Sequence, residues 1–130
     1  MLLPSTAQIV VGTVAARTSS YRAATASCMV LSDTIHVMLL THDKFRSFTP
    51  KAIADARATT EVLLALSADS RPEVDDMVAK AAAAGGKADP GPKQDHGFMY
   101  GRSFEDPDGH IWEVFWMDME AAKTAMAGQS

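Results

Sequence analysis

Residues 97–118, GFMYGRSFEDPDGHIWEVFWMD, constrain this chain more than any other stretch. They read as two strands joined by one tight turn. Asp106-Pro107-Asp108-Gly109 carries the chemistry of a turn. Pro107 pre-sets its own φ, Gly109 tolerates a positive φ, and the two Asp side chains can accept from nearby backbone N–H groups. Aromatic and β-branched residues flank the turn on both sides, as in a half-buried pleated sheet. In the second strand His110, Trp112, Val114 and Trp116 share one face, and Ile111, Glu113, Phe115 and Met117 share the other. Glu113 is therefore a carboxylate among apolar neighbours. Buried without a partner, it would carry a large desolvation cost or take up a proton. It requires a cation, either a metal ion or a side chain.

The length of the loop decides which side chain stands opposite. A four-residue loop pairs Glu105 with His110 and puts Arg102 across from Glu113. A three-residue loop with Gly109 as a bulge puts Ser103 there instead. An Arg102–Glu113 ion pair is the purely structural explanation of the buried acid. The functional one is that Glu113 points into a cavity and binds a metal or a polar ligand.

The rest of the chain supplies elements on which this hairpin can pack. Residues 61–67, EVLLALS, read as a strand. Ser70-Arg71-Pro72-Glu73 is a capping box with Pro near the first helical position, and Val74, Met77, Val78 and Ala81 follow at helical spacing. Gly85-Gly86 ends that helix. Residues 87–95 are broken by Pro and Gly, with room for one short strand at 87–89. Upstream, residues 8–14 read as a strand, and 26–32 and 35–41 as a hairpin about Asp33-Thr34. In the second of these runs His36, Met38 and Leu40 share a face. Residues 43–60 read as a connection, with a short Ala-rich helix at 51–58, and Phe45 and Phe48 as caps on a core edge. Residues 119–130 form a polar, Ala-rich tail, helical or frayed.

At 130 residues the chain is long enough for one domain with one core. A net charge of −4 with no dense Lys/Arg cluster argues against nucleic acid or an anionic membrane as main partner. No apolar run reaches the ~18–20 residues of a membrane span. The single cysteine, Cys28, excludes an internal disulfide and any multi-Cys zinc site, and suits a reducing, cytoplasmic setting. The uncharged first sixteen residues lack the basic start of a signal peptide.

FEDPDGHIWEV resembles the last hairpin of the glyoxalase/bleomycin-resistance/dioxygenase superfamily, the vicinal oxygen chelate proteins. The pattern is a D-P-x-G turn followed four residues later by Glu. The resemblance runs over roughly residues 25–118. It implies an α+β fold of two βαβββ modules forming a curved, open mixed sheet around a cavity. Residues 1–118 then form one domain, with 8–42 as a first module, 43–60 as the connection and 61–118 as the second module. The first module is incomplete: between residues 14 and 26 its helix has no counterpart. A partner subunit is the natural cover for the exposed sheet face, so a homodimer is expected.

The resemblance also implies a divalent metal, Ni, Zn or Fe, held by His, Glu or Gln from the first and last strands of each module. Carried over position by position, Glu113 matches the last-strand ligand of the second module, and His36 occupies the equivalent place in the first. Leu63 stands where a His is wanted and cannot ligate. Glu61, two residues earlier, is a weak substitute, and Gln8 is the remaining candidate. Arg102, Tyr100, Phe115 and His96 are the candidate substrate contacts, with Glu113 also the candidate catalytic group. His96 is either an acid/base at the cavity mouth or a surface turn residue. His42 and His110 read as solvated. The activity implied is that of a metal-dependent lyase or isomerase of lactoylglutathione lyase type, acting on a small dicarbonyl–thiol adduct. The lost ligand at Leu63 leaves open a metal-free binding protein of the bleomycin-resistance type. A ring-cleaving dioxygenase wants two His and one Glu around iron, and no clean set of these is present.

Overall fold

The computed structural model describes residues 7–13, 21–22 and 26–128, with side chains described from residue 26 onward. The chain divides into two compact units, residues 1–54 and 55–130.

The first unit contains β1 (Ala7–Thr13), β2 (Tyr21–Arg22), β3 (Ala26–Val30), β4 (Ile35–Thr41) and a short helix α1 (His42–Arg46). The sheet order is β1-β4-β3-β2, and every neighbouring pair is antiparallel. The β3–β4 turn is closed by Ser32, whose Oγ accepts from the backbone N–H of Thr34 and Ile35 at 3.4 and 3.2 Å. Val37 and Leu40 are fully buried, and Ala26 and Cys28 nearly so. Cys28 thus packs as a small hydrophobe. The expected helix of this module falls on a segment mostly outside the described residues. In what is described, β1 runs antiparallel to β4.

The second unit contains β5 (Leu64–Ser67), α2 (Arg71–Ala83), β6 (Lys87–Ala88), β7 (Gln94–Asp95), β8 (Met99–Glu105), β9 (Ile111–Met117) and α3 (Met119–Ala127). Its sheet order is β5-β9-β8-β6, with β5 parallel to β9 and β7 also paired to β8. Apart from the two-residue β7, this is a β-α-β-β-β unit with an open sheet, and the protein is α+β. The thirteen residues of α2 supply the crossover that makes the β5–β9 pair parallel. Ser70 caps α2 by accepting from the Glu73 N–H at 3.2 Å. The Glu73 carboxylate reaches back to the N–H of Asp69, one residue earlier than the cap itself. Val74 and Val78 of α2 bury fully against Val114 of β9, with Met77, Tyr100, Phe104 and Trp116 around them. Each such valine is worth about 1.5–3 kcal/mol of burial.

Three expectations are corrected. The strand expected at 61–67 begins only at Leu64, where its pairing with Trp112 begins. The helix expected at 51–58 is absent, and one lies at His42–Arg46, capped by Thr41. At 51–58 the Asp55 side chain accepts from Arg57 N–H, and the Asp55 carbonyl accepts from Ala58 and Thr59 N–H. These bonds close a turn in place of a helix. The strand β7 lies in a segment expected to be loop.

Candidate functional site

The DPDG turn sets the register on which the site depends. Asp106 and His110 close the hairpin, with the Asp106 N–H bonded to the His110 carbonyl at 2.9 Å. The loop is therefore Pro107-Asp108-Gly109, and Gly109 has φ +96°. The Asp106 carboxylate gathers three donors: Oδ1 accepts from Asp108 N–H and His110 N–H, and Oδ2 from the Trp112 indole, all at 3.0 Å. With three residues in the loop, Ser103 stands opposite Glu113 and Arg102 opposite Val114. A shift of one residue sends a strand side chain to the other face. The Arg102–Glu113 pair is thereby replaced.

One face of the sheet can be read in rows across the strands. Ala65, Glu113 and Ser103 form one row; Ser67, Phe115, Gly101 and Gln94 form the next; Met117 and Met99 a third. Apart from Ser67, these rows are the floor of a cavity of about 270 Å³, walled by Gly91 and Pro92. Its size lies just below the ~300–1,000 Å³ of most small-molecule sites. Glu113 is half-buried in this floor. Among the described residues, none forms a hydrogen bond or ion pair with its carboxylate. Ser103 is buried, and its Oγ accepts from the Gly91 N–H at 3.3 Å, holding the wall against the floor.

The opposite face is covered by α2 and holds Arg102, Asp75 and Arg71. The Arg102 guanidinium takes Asp89 in a two-pronged grip, Nε to Oδ1 at 3.0 Å and a second nitrogen to Oδ2 at 2.6 Å. Its remaining arm reaches Asp75 at 2.9 Å, and the Tyr100 hydroxyl donates to the same Asp75 oxygen at 2.7 Å. Tyr100 and then Arg102 hold the Asp75 carboxyl below its ordinary range, and Arg102 does the same for Asp89. Arg71 grips Asp95 through two bonds of 2.9 and 3.0 Å, donates to the Gly97 carbonyl, and lies over the Tyr100 and Trp116 rings. This pairing lowers the Asp95 carboxyl to about 2.

The candidate contacts thus separate. Glu113 and Phe115 come together in the cavity floor. Arg102 also lines the cavity, but its guanidinium and the Tyr100 hydroxyl are committed to Asp75 and Asp89 on the helix face, because their strand positions have the other parity. His96 lies exposed in the turn before β8, stacked on Phe98 with ring centroids 6.3 Å apart. Glu61 is exposed and precedes β5, so Ala65 rather than Glu61 or Leu63 neighbours Glu113 on that strand. His36 is buried in β4 of the first unit, 4% exposed. The side chain of Gln8 lies outside the described residues.

The described donors of the second unit do not by themselves match a resident divalent metal. Such an ion wants about four ligands. The cavity floor offers one carboxylate, with Ala65 and Ser103 as its cross-strand neighbours. Among the described residues, no group of three or more His, Cys, Asp or Glu side chains is arranged to hold a metal.

Gly91, Pro92 and Gln94 had no signal in the sequence as site residues. The Asp-Pro-Gly-Pro run at 89–92 announced only a broken segment. That Asp89 and Asp95 are gripped by Arg102 and Arg71 depends on contacts 13 and 24 residues apart in sequence.

Solved structures similar to this chain include the following three. A hypothetical protein from S. aureus is 25% identical, with a TM-score of 0.62 over 75% of this chain and 74% of that one. A glyoxalase-related enzyme from Fulvimarina pelagi is 21% identical, with a TM-score of 0.61 over 74% and 67%. A glyoxalase/bleomycin resistance protein/dioxygenase family enzyme from Burkholderia phytofirmans PsJN is 16% identical, with a TM-score of 0.58 over 77% and 80%. The last two speak for the fold alone. No curated protein matches the chain. The family model for the superfamily spans residues 13–114, from the end of β1 to the middle of β9. On that span this chain belongs to the glyoxalase/bleomycin resistance protein/dioxygenase superfamily.

Proposed function

We propose that this protein binds a small organic molecule in the cavity of its second unit, as the metal-free sequestering members of its superfamily do. The observation behind this is Glu113. It stands half-buried in a cavity floor with no protein partner among the described residues, between apolar walls that suit an organic body. A carboxylate so placed is completed by what the cavity receives. The test is a thermal-shift screen of the full chain against small molecules, repeated on Gly101→Val. A side chain at Gly101 begins 3.6–3.7 Å from Met99 and Phe115, an ordinary contact, and grows into the cavity. Ligands that raise the midpoint of the wild type and not of a folded Gly101→Val support the proposal. A screen with no such ligand rejects it.

A second reading is a metal-dependent lyase of lactoylglutathione lyase type. It is favoured by the position of Glu113 alone, and it needs further ligands from outside the second unit. Elemental analysis separates the two. One Ni, Zn or Fe per chain after dialysis, lost in Glu113→Ala, supports the lyase. The proposal extends to a cytoplasmic homodimer. The lone, buried Cys28 suits a reducing compartment, and Val62 and Leu63, 59% and 54% exposed beside the edge strand β5, offer apolar surface to a second copy. Among the described residues no helix is long and apolar enough to cross a membrane.

A further inference from the structure

We infer that the cavity beside Glu113 takes an organic cation, an ammonium or guanidinium group carried on a small apolar and preferably aromatic body. This rests on the reading that the cavity holds a small molecule, and it names the class. The first support is charge. Arg102 lines the cavity, and Asp89 and Asp75 occupy the arms of its guanidinium from the helix face. Lys93, beside Pro92 in the wall, acts on these same two acids. Arg102 and Lys93 thus balance Asp75 and Asp89. Further along the cavity face, Glu105 stands opposite Lys87. The charge left over in the floor is that of Glu113. An anion entering the cavity meets that carboxylate, with Arg102 already held by Asp89 and Asp75. A cation entering replaces the water that Glu113 gives up.

The second support is the chemistry around the carboxylate. Glu113 and Phe115 lie two residues apart on one strand face, about 6.5–7 Å along it. The residue opposite Phe115 is Gly101, so no side chain crosses from β8 to cover the ring at that point. An aromatic face open to the cavity attracts a cation or stacks on a flat body. Met99 and Met117 face each other in the next row and supply polarisable, adaptable walls. Ser103 uses one lone pair on Gly91 and keeps a second acceptor site beside Glu113. Acceptors cluster at one end and soft apolar groups at the other. The complement of that pattern is a donor-rich cationic head with an apolar tail.

The test uses three probes of one shape on the full chain, at pH 7, low salt and in EDTA: 2-phenylethylammonium, 2-phenylethanol and 3-phenylpropanoate. Binding is read by ligand-observed NMR titration. The cation is expected to bind at least tenfold more tightly than either other probe. Glu113→Gln, which keeps the shape and removes the charge, is expected to bring it within about twofold of the alcohol. Gly101→Val is expected to abolish binding of all three. A cation no tighter than the alcohol, or an advantage that survives Glu113→Gln or Gly101→Val, overturns the inference. In that case binding of the alcohol, lost in Gly101→Val, still supports a small-molecule cavity. Failure of all three probes overturns the inference and counts against the cavity reading with it.

Discussion

At the scale of single residues, the turn glycine has more influence on the site than its size suggests. Gly109 adopts φ +96°, and a Cβ there would lie 3.0 Å from the Ala56 carbonyl oxygen and the Arg57 backbone nitrogen. Backbone on one side and a left-handed conformation on the other leave no room to adjust. Gly109→Ala is expected to cost about 1–3 kcal/mol of stability, measured as a lower urea midpoint with an unchanged slope. If the hairpin relaxes to a four-residue loop instead, the register shifts and Arg102 comes opposite Glu113. The variant's ligand binding then fails together with its stability. Asp106 guards the same register by tying Asp108, His110 and the Trp112 indole into one carboxylate. The identity of this turn was legible in the sequence, since D-P-D-G names it. Its length was not, because both loop lengths satisfy the same four residues.

At the scale of elements, the segment between β6 and β8 is a strap across the cavity, fastened from the other face of the sheet. Gly91, Pro92 and Gln94 lie on the cavity side, while Asp89 and Asp95 are held by Arg102 and Arg71. Strand parity produces this division, because Gln94 pairs beside Gly101 and Asp95 beside Tyr100. The two fasteners differ in exposure. The Arg102 and Asp89 side chains are 14% and 26% exposed, and those of Arg71 and Asp95 are 37% and 55% exposed. The outer fastener should therefore respond to pH and salt. Asp95 titrates near 2 when folded, against a reference of 3.8. Its contribution to stability is complete above 3.8 and is lost as pH falls toward 2. Urea midpoints at low salt are expected to fall between pH 4 and pH 2, and to fall less in Asp95→Asn. Added salt should shrink the difference between the two proteins, since exposed pairs are screened. Equal slopes in both proteins would show that Asp95 carries none of the acid sensitivity.

At the scale of the whole molecule, two units share the strand order 1-4-3-2 but differ in the direction of the first strand. The second unit has a thirteen-residue helix for its crossover and a parallel β5–β9 pair; in the first unit β1 and β4 are antiparallel. Self-association is tested by sedimentation. The wild type is expected to run as a dimer, and Leu63→Asp, beside the edge of β5, as a monomer. A wild-type monomer at tens of micromolar would remove the dimer from the proposal. Much of this organisation was written in local sequence. The capping box and the Gly85-Gly86 stop fixed α2. Alternation along 111–117 placed Glu113 and Phe115 on one face and Trp112, Val114 and Trp116 on the other. These follow from propensity and periodicity, which act over a few residues. What the chain's neighbourhood could not specify was decided by tertiary contact. The DPDG loop closed on three residues, so Ser103 and not Arg102 meets Glu113. The guanidinium of Arg102 went to acids 13 and 27 residues away. The result is a carboxylate left without a partner among the described residues. Which charge neutralises which is a property of the packed sheet and helix together, because pairing depends on distances that only the folded chain sets.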